Sequence, residues 1–187
     1  TRVNGVLIAG IFPESGRVSG QVSIIQLDGW TWEDMTLEAS IGLVMSWPQM
    51  RPRDSWFAPP RSDQQRQLNA ALADINALAE AYAELDPPTH TDSRLEAMRS
   101  IVAPESEHKR ATLFIRAIDL DQITAAVTWC ANRGYKCAIV GGRDAEFCAE
   151  LLRTNNVPVI LAGVHRYPRR SDAGYDEAFN QPARLRA

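Results

Sequence analysis

The feature that most constrains the fold is a regular alternation of strand and helix patterns between residues 112 and 161. Thr112–Ile115, Ala138–Val140 and Val157–Leu161 are short apolar runs, and helical periodicity fills the segments between them. Strands that are apolar on consecutive residues are typical of a parallel sheet covered by helices on both faces. The pattern therefore predicts a β-α-β-α-β unit with right-handed crossovers, and it suits a doubly wound sheet or a barrel equally well.

Capping signals mark the first helix of this unit. Asp119 is placed at its N-cap, and Gln122 stands at the reciprocal position of a capping box. Gly134 provides the residue that most readily adopts the left-handed conformation at a helix end. The predicted buried face carries apolar residues at helical spacing, namely Ile123, Val127 and Cys130.

A long helix is predicted before this unit. Ser62 can cap it with Gln65 as the reciprocal residue, and Pro87-Pro88 ends it. A shorter helix is predicted from about Asp92 until Pro104. The apolar stripe of the long helix consists of Leu68, Leu72, Ile75, Leu78, Ala79, Tyr82 and Leu85.

The first 60 residues differ in character from the rest. Val6–Ala9, Val22–Leu27 and Ile41–Trp47 are strand patterns, and Pro13–Gly16 is a turn signal between the first two. The four prolines between residues 48 and 60 predict an irregular loop. We predict one α/β domain or fragment over 1–187, with a strand, hairpin and loop region in 1–60 and regular β/α units in 61–187.

Composition and charge narrow the function classes. Apolar residues make up 45% of the chain and charged residues 23%, a usual balance for a globular domain. The formal net charge of −3 gives no electrostatic reason to expect nucleic acid or an anionic membrane as a partner. No apolar run reaches the roughly 18–20 residues of a membrane-spanning helix. The sequence does not indicate a cellular compartment.

The three cysteines are Cys130, Cys137 and Cys148. An odd number without Cys-x-x-Cys spacing argues against a disulfide framework and against a zinc knuckle. We expect buried free thiols, which fit a reducing environment.

Several stretches resemble the amidohydrolase superfamily, in its imidazolonepropionase-like and related branch. Each stretch is short, and their order along the chain is the stronger part of the resemblance. The stretches are Asn4–Ala9, Val18–Gln21, Gln26–Met35, Ser93–Met98, Ile115–Ala117, Gln122–Ile123, Val140–Ala145 and Val157–Leu161.

The resemblance implies a middle part of a (β/α)8 TIM-barrel-like fold with flanking helices. In the family, histidines and an aspartate at the carboxyl ends of strands hold zinc or a similar divalent metal, which activates water for hydrolysis of a C–N bond. This chain has no His-x-His pair. Arg116 and Gly141 stand where the family has histidines, and a guanidinium cannot ligate a metal. We therefore expect no metal ligands and no catalytic residues in this chain.

A ligand site is predicted where arginines follow strands. Arg116, Arg143 and Arg166 each come after a strand pattern, and together they suit a carboxylate or phosphate. Gly141 and Gly142 can add backbone amides at a helix start. The alternative is that these arginines form salt bridges with Asp119, Asp144 or Asp172.

His165, Trp30 and Trp32 each allow two interpretations. His165 follows the Val157–Leu161 run, so it belongs either to the site or to an ordinary loop. His90 and His108 lie in polar segments and are expected at the surface. Trp30 and Trp32, with carboxylates around them, either pack on the sheet or bind a sugar or a cation.

Two hypotheses on function follow. The first is an amidohydrolase-like protein of which this chain is a fragment, inactive alone because ligands are absent. The second is a non-catalytic barrel relative that binds an anionic small molecule. A self-contained flavodoxin-type α/β domain is a third interpretation of the fold. If the chain is a fragment, open sheet edges predict a homo-oligomer or pairing with the missing remainder of the barrel.

Overall fold

The computed structural model describes residues 5–53, 55–83, 101, 111–163, 165–168 and 174–186. The predicted helix from about Asp92 lies outside the described residues except for Ile101, which is helical and buried. His90 and His108 also lie outside them.

The elements confirm a mixed α/β fold. All six strands belong to one sheet, in which they are hydrogen-bonded in chain order. The bounds are β1 (Ile8–Ile11), β2 (Val18–Gln26), α1 (Trp32–Met35), β3 (Thr36–Ser46), α2 (Arg61–Ala83), β4 (Thr112–Ala117), α3 (Leu120–Arg133), β5 (Cys137–Gly141), a 3₁₀ helix (Ala145–Cys148), α4 (Ala149–Thr154), β6 (Val159–Leu161) and α5 (Glu177–Arg186).

The chain divides into two compact units. Unit 1 comprises Thr1–Ser46 and Ile75–Phe114, and unit 2 comprises Trp47–Asp74 and Ile115–Ala187. A (β/α)8 barrel has eight parallel strands, so the eight-stranded barrel stays a prediction.

In unit 1, the predicted hairpin region is a three-stranded antiparallel arrangement. β1 pairs with β2, with Ile8 opposite Gln26, and β2 pairs with β3, with Val22 opposite Gly42. β2 and β3 are longer than their apolar patterns predict, because backbone pairing continues through polar residues. The largest buried side chains of β2 and β3 are Val22, Leu43, Val44 and Met45.

Gly42 is required by a close backbone approach. A Cβ atom at this position would overlap the carbonyl oxygen of Thr112 and would lie 2.8 Å from the ring of Phe114. Phe114 also contacts Phe12 edge to face, with 5.3 Å between ring centroids. Glycine at position 42 therefore lets β3 lie close to the beginning of β4 within this unit.

The prediction that Trp30 and Trp32 pack on the sheet is wrong. Trp30 is 98% exposed and Trp32 is 73% exposed. The Thr31 side chain accepts a hydrogen bond from the backbone N–H of Asp34 and so caps α1, which buries none of its residues. The short helix is held by its cap rather than by packing, so both indole rings stay in solvent.

In unit 2, helix α3 confirms its predicted boundaries. It carries the capping box of Asp119 and Gln122, and Gly134 ends it in the left-handed conformation at φ 65°. Ile123, Val127 and Cys130 are buried as expected. The capping signals succeeded because each acts within one turn of the helix end.

β5 and β6 are parallel, as the strand patterns predict. Ile139 lies opposite Val159, and Gly141 lies opposite Leu161. Pro158 stands just before β6, where its missing amide costs no ladder bond, and its carbonyl accepts from the backbone N–H of Ile139.

The predicted start of α2 needs correction. The helix begins at Arg61, so Ser62 lies within its first turn rather than at the N-cap. The side chain of Gln64 binds the preceding loop instead, accepting from the backbone N–H of Arg53 and donating to the carbonyl of Pro59. These bonds hold the preceding loop against the first turn of the helix. A capping pattern in the sequence does not predict such contacts.

The cysteines are free, as predicted. Cys130 and Cys137 are buried, and Cys148 is half-buried. None of the described helices combines the length and apolar character that crossing a membrane requires.

Candidate functional site

The carboxyl ends of β4 and β5 meet in unit 2 through two glycines. The backbone N–H of Gly142 donates to the carbonyl of Ala117 at 2.9 Å. Gly141 and Gly142 have backbone φ angles of +106° and +51°, a range that residues other than glycine rarely adopt. A Cβ atom at Gly142 would also lie 2.4 Å from the side chain of Val159. These glycines let the chain leave β5 close to its neighbours.

Gln122 lies buried at the beginning of α3 and joins three segments. Its Oε1 accepts from the backbone N–H groups of Ile118 at 3.0 Å and of Asp119 at 3.2 Å. Its Nε2 donates to the carbonyls of Trp47 and Pro48, both at 3.2 Å. The capping residue therefore also fixes the segment that follows β3.

Gln181 has the same role on α5. It is 2% exposed, and its Nε2 donates to the carbonyls of Gly142 at 2.7 Å and of Arg143 at 2.6 Å. Its Oε1 accepts from Nη2 of Arg166 at 2.7 Å. One buried amide thus connects the segment after β5 to the segment after β6.

Arg143 forms ion pairs with carboxylates. Its guanidinium bonds to Asp119 through Nη2, and its Nε lies 3.5 Å from Oδ1 of Asp144. Asp144 in turn accepts from the backbone N–H of Leu120 at the start of α3. The salt bridges considered in the sequence analysis are therefore present for Arg143, and Asp172 lies outside the described residues.

Arg166 lies beside Arg143. Its Nε is buried, and it has no hydrogen-bond partner among the described residues. Burial, and then the charge of Arg143, lowers the pKa of the Arg166 guanidinium, which still stays protonated near neutral pH. The cost of this burial is offset by the bond to Gln181 and by nearby carboxylates, chiefly Glu177.

Arg143 and Arg166 border a small cavity. Its volume of about 20 Å³ suits one water molecule. The two arginines line it together with two carboxylates, Asp144 and Glu177, so the lining carries charges of both signs. The other lining residues are Tyr167, Pro168 and Ala178.

Arg116 and His165 do not line this cavity. Arg116 is half-buried in β4, and its carbonyl accepts from the backbone N–H of Trp47 at 3.0 Å. His165 is exposed and meets Phe179 edge to face at 5.3 Å between ring centroids. Of the six predicted site residues, the described structure thus brings Arg143 and Arg166 to the cavity, and Gly141 and Gly142 directly precede Arg143 in the chain.

The residues at these strand ends do not fit a divalent metal. In the described ranges, no three His, Cys, Asp or Glu side chains are grouped so that they could hold an ion. Asp119 and Asp144 already accept from Arg143, and zinc prefers nitrogen and sulfur ligands in tetrahedral sites. The zinc expected for the full-length family stays a prediction.

Gln181 is the site residue that sequence reasoning missed. Residues 177–186 carry Pro182 and a mean polar character, so no helix was predicted there. The available signal was the i, i+3 spacing of Ala178 and Gln181, both of which the helix buries.

A solved structure with a similar fold is an amidohydrolase from Thermotoga maritima MSB8. The TM-score is 0.70 at 19% sequence identity, and the match covers 97% of this chain and 48% of that chain. This chain therefore spans about half the length of the protein it resembles. No family model and no curated protein matches. At this identity, the likeness shows a similar fold alone.

Replacing Gln181 tests the amide that links the two segments. Gln181→Leu leaves the Arg143 carbonyl and Nη2 of Arg166 without this partner, while the Gly142 carbonyl keeps only the backbone N–H of Ala145. We therefore expect it to lower the free energy of unfolding by about 2–4 kcal/mol. Urea denaturation followed by circular dichroism measures this. The control is Asn180→Ala on the exposed face of the same helix, with an expected change within about 0.5 kcal/mol. Equal effects of the two substitutions would contradict the assigned role.

Proposed function

We propose that the chain is part of an amidohydrolase-like hydrolase that acts on C–N bonds, and that it has no such activity alone. The observation that carries the proposal is the fold likeness, which spans 97% of this chain and 48% of an amidohydrolase. The family branch proposed is the imidazolonepropionase-like one. The activity would then need polypeptide outside these 187 residues.

The polar groups at the strand ends support inactivity of the chain alone. Barrel enzymes carry their reacting groups at the carboxyl ends of strands. In unit 2, Gln181 binds backbone carbonyls after β5, and Arg143 forms ion pairs with Asp119 and Asp144. A carboxylate whose oxygens already accept from an arginine is poorly placed to accept a proton from water.

An activity panel tests this proposal. The purified chain, supplemented with Zn²⁺, should hydrolyse linear amides, cyclic amides and imides no faster than buffer with the same metal. The physical reason is that Arg143 already holds the carboxylates of Asp119 and Asp144, which follow β4 and β5. Product release followed by liquid chromatography measures the rate. A rate above the buffer control that a chelator abolishes would refute inactivity of the chain alone.

The second candidate function is binding of an anionic small molecule by a non-catalytic relative. The observation in its favour is the buried Nε of Arg166, which has no partner among the described residues. The size of the cavity and the carboxylates of Asp144 and Glu177 argue against it. A phosphate or dicarboxylate would have to displace the contact between Arg143 and Asp144, so this candidate ranks second.

Calorimetric titration with phosphate and with succinate separates the two candidates. The leading proposal expects no saturable binding to the chain. The second expects binding that Arg166→Gln weakens by about tenfold or more, since a charge-assisted bond is lost. The control is Arg66→Gln, which removes an exposed pair with Asp63 elsewhere in the unit. Saturable binding that depends on Arg166 but not on Arg66 would move the anion site to first place.

A further inference from the structure

An open groove lies between α4 and α5, and β6 forms its floor. Its volume is about 620 Å³, and all of its lining belongs to unit 2. Val159 and Leu161 stand two positions apart on β6, so they point to the same face of the strand. The walls come from α4, the segment before β6 and α5: Ala149, Leu152, Arg153, Asn156, Val157, Pro158, Pro182, Leu185 and Arg186.

The groove resembles a gap in a helical layer. β6 pairs with β5 in parallel, and parallel strands are usually covered by helices on both faces. Val159 and Leu161 remain partly exposed, although α4 and α5 stand on either side of them. An apolar strand face bordered by two helices offers the shape into which a further amphipathic helix packs.

Both charged residues that the structure describes in the lining of the groove are positive. They are Arg153 and Arg186, and both are exposed. Within the described part of the chain, neither forms an ion pair with a carboxylate. Arg184, which belongs to the same helix as Arg186 but does not line the groove, is paired with Glu146 at 3.1 Å. The groove therefore combines an apolar floor with two exposed arginines that form no ion pair with another described residue.

We propose that this groove binds an amphipathic helix that carries acidic residues beside its apolar stripe. Leucine-type side chains of the partner cover Val159 and Leu161, and its carboxylates meet Arg153 and Arg186. Such pairs at the rim of an interface select the partner and raise the association rate more than they raise affinity. The inference is independent of the proposed hydrolase function, since it uses a surface that shares no residue with the cavity at Arg143.

Peptides of opposite charge test the proposal. The probe is a fluorescein-labelled peptide of about 15 residues with leucines at helical spacing and glutamates beside them. The matched control peptide has lysine in place of every glutamate. Fluorescence anisotropy with the full chain should show the acidic peptide binding at least about tenfold more tightly than the basic one.

Charge-neutralising variants locate the binding. Arg153→Gln combined with Arg186→Gln should weaken the acidic peptide by about three- to tenfold, because two partly exposed ion pairs are lost. Arg184→Gln is the matched control and should change binding by less than about twofold. All three positions are exposed, so the variants should fold, and circular dichroism checks this. Shift changes in ¹⁵N-labelled chain should centre on Leu152, Val159 and Leu185.

Several results would overturn the proposal. These are no binding of the acidic peptide, equal binding of both peptides, or an equal loss in the Arg184 control. Displacement of the peptide by hexadecanoate at equal concentration would assign the groove to a fatty acid instead. A dimer in light scattering that the Arg153 and Arg186 changes dissociate would assign it to a second copy of this chain.

Discussion

The structure of unit 2 depends on satisfying backbone carbonyls where its strands end. Buried backbone carbonyls just beyond the end of a strand need hydrogen-bond donors, since a buried acceptor without a donor costs about 1–3 kcal/mol. Two buried glutamines supply them. Gln122 binds the segments after β3 and β4, and Gln181 binds the segments after β5 and β6 through the Gly142 carbonyl and Arg166. Each amide uses its donor and its acceptor, which is why a neutral side chain suits both places better than a charged one.

Much of the fold could be predicted because its signals are local. The apolar runs predicted the parallel strands β5 and β6, and Asp119 and Gly134 predicted the two ends of α3. Gln181 could not be found in this way, because its carbonyl partners lie 38 and 39 residues earlier in the chain and Pro182 conceals the helix. The prediction for Trp30 failed for a related reason: an aromatic residue predicts burial on average, whereas the neighbouring helix α1 buries none of its residues.

The predicted site shows how the surroundings decide what an arginine does. The sequence correctly places Arg143 after β5, but the pattern fits an anion site and a salt bridge equally. Asp119 and Asp144 favour the salt bridge for Arg143, because the N-cap of α3 brings one carboxylate and the turn after β5 brings the other. Arg166 differs, since its direct partner is the neutral amide of Gln181. The anion site that the sequence predicts stays a prediction.

In unit 2, the segments after β4 and β5 carry ion pairs and amides, and we propose that they hold no metal ion. The most direct test is a titration of the purified, metal-free chain with Zn²⁺ in competition with a chromophoric chelator, because ligands in a formed site bind the ion tightly and release protons. We expect the Zn²⁺ to stay bound to the chelator, with no stoichiometric binding to the chain. One zinc ion bound tightly per chain, with proton release on binding, would contradict it.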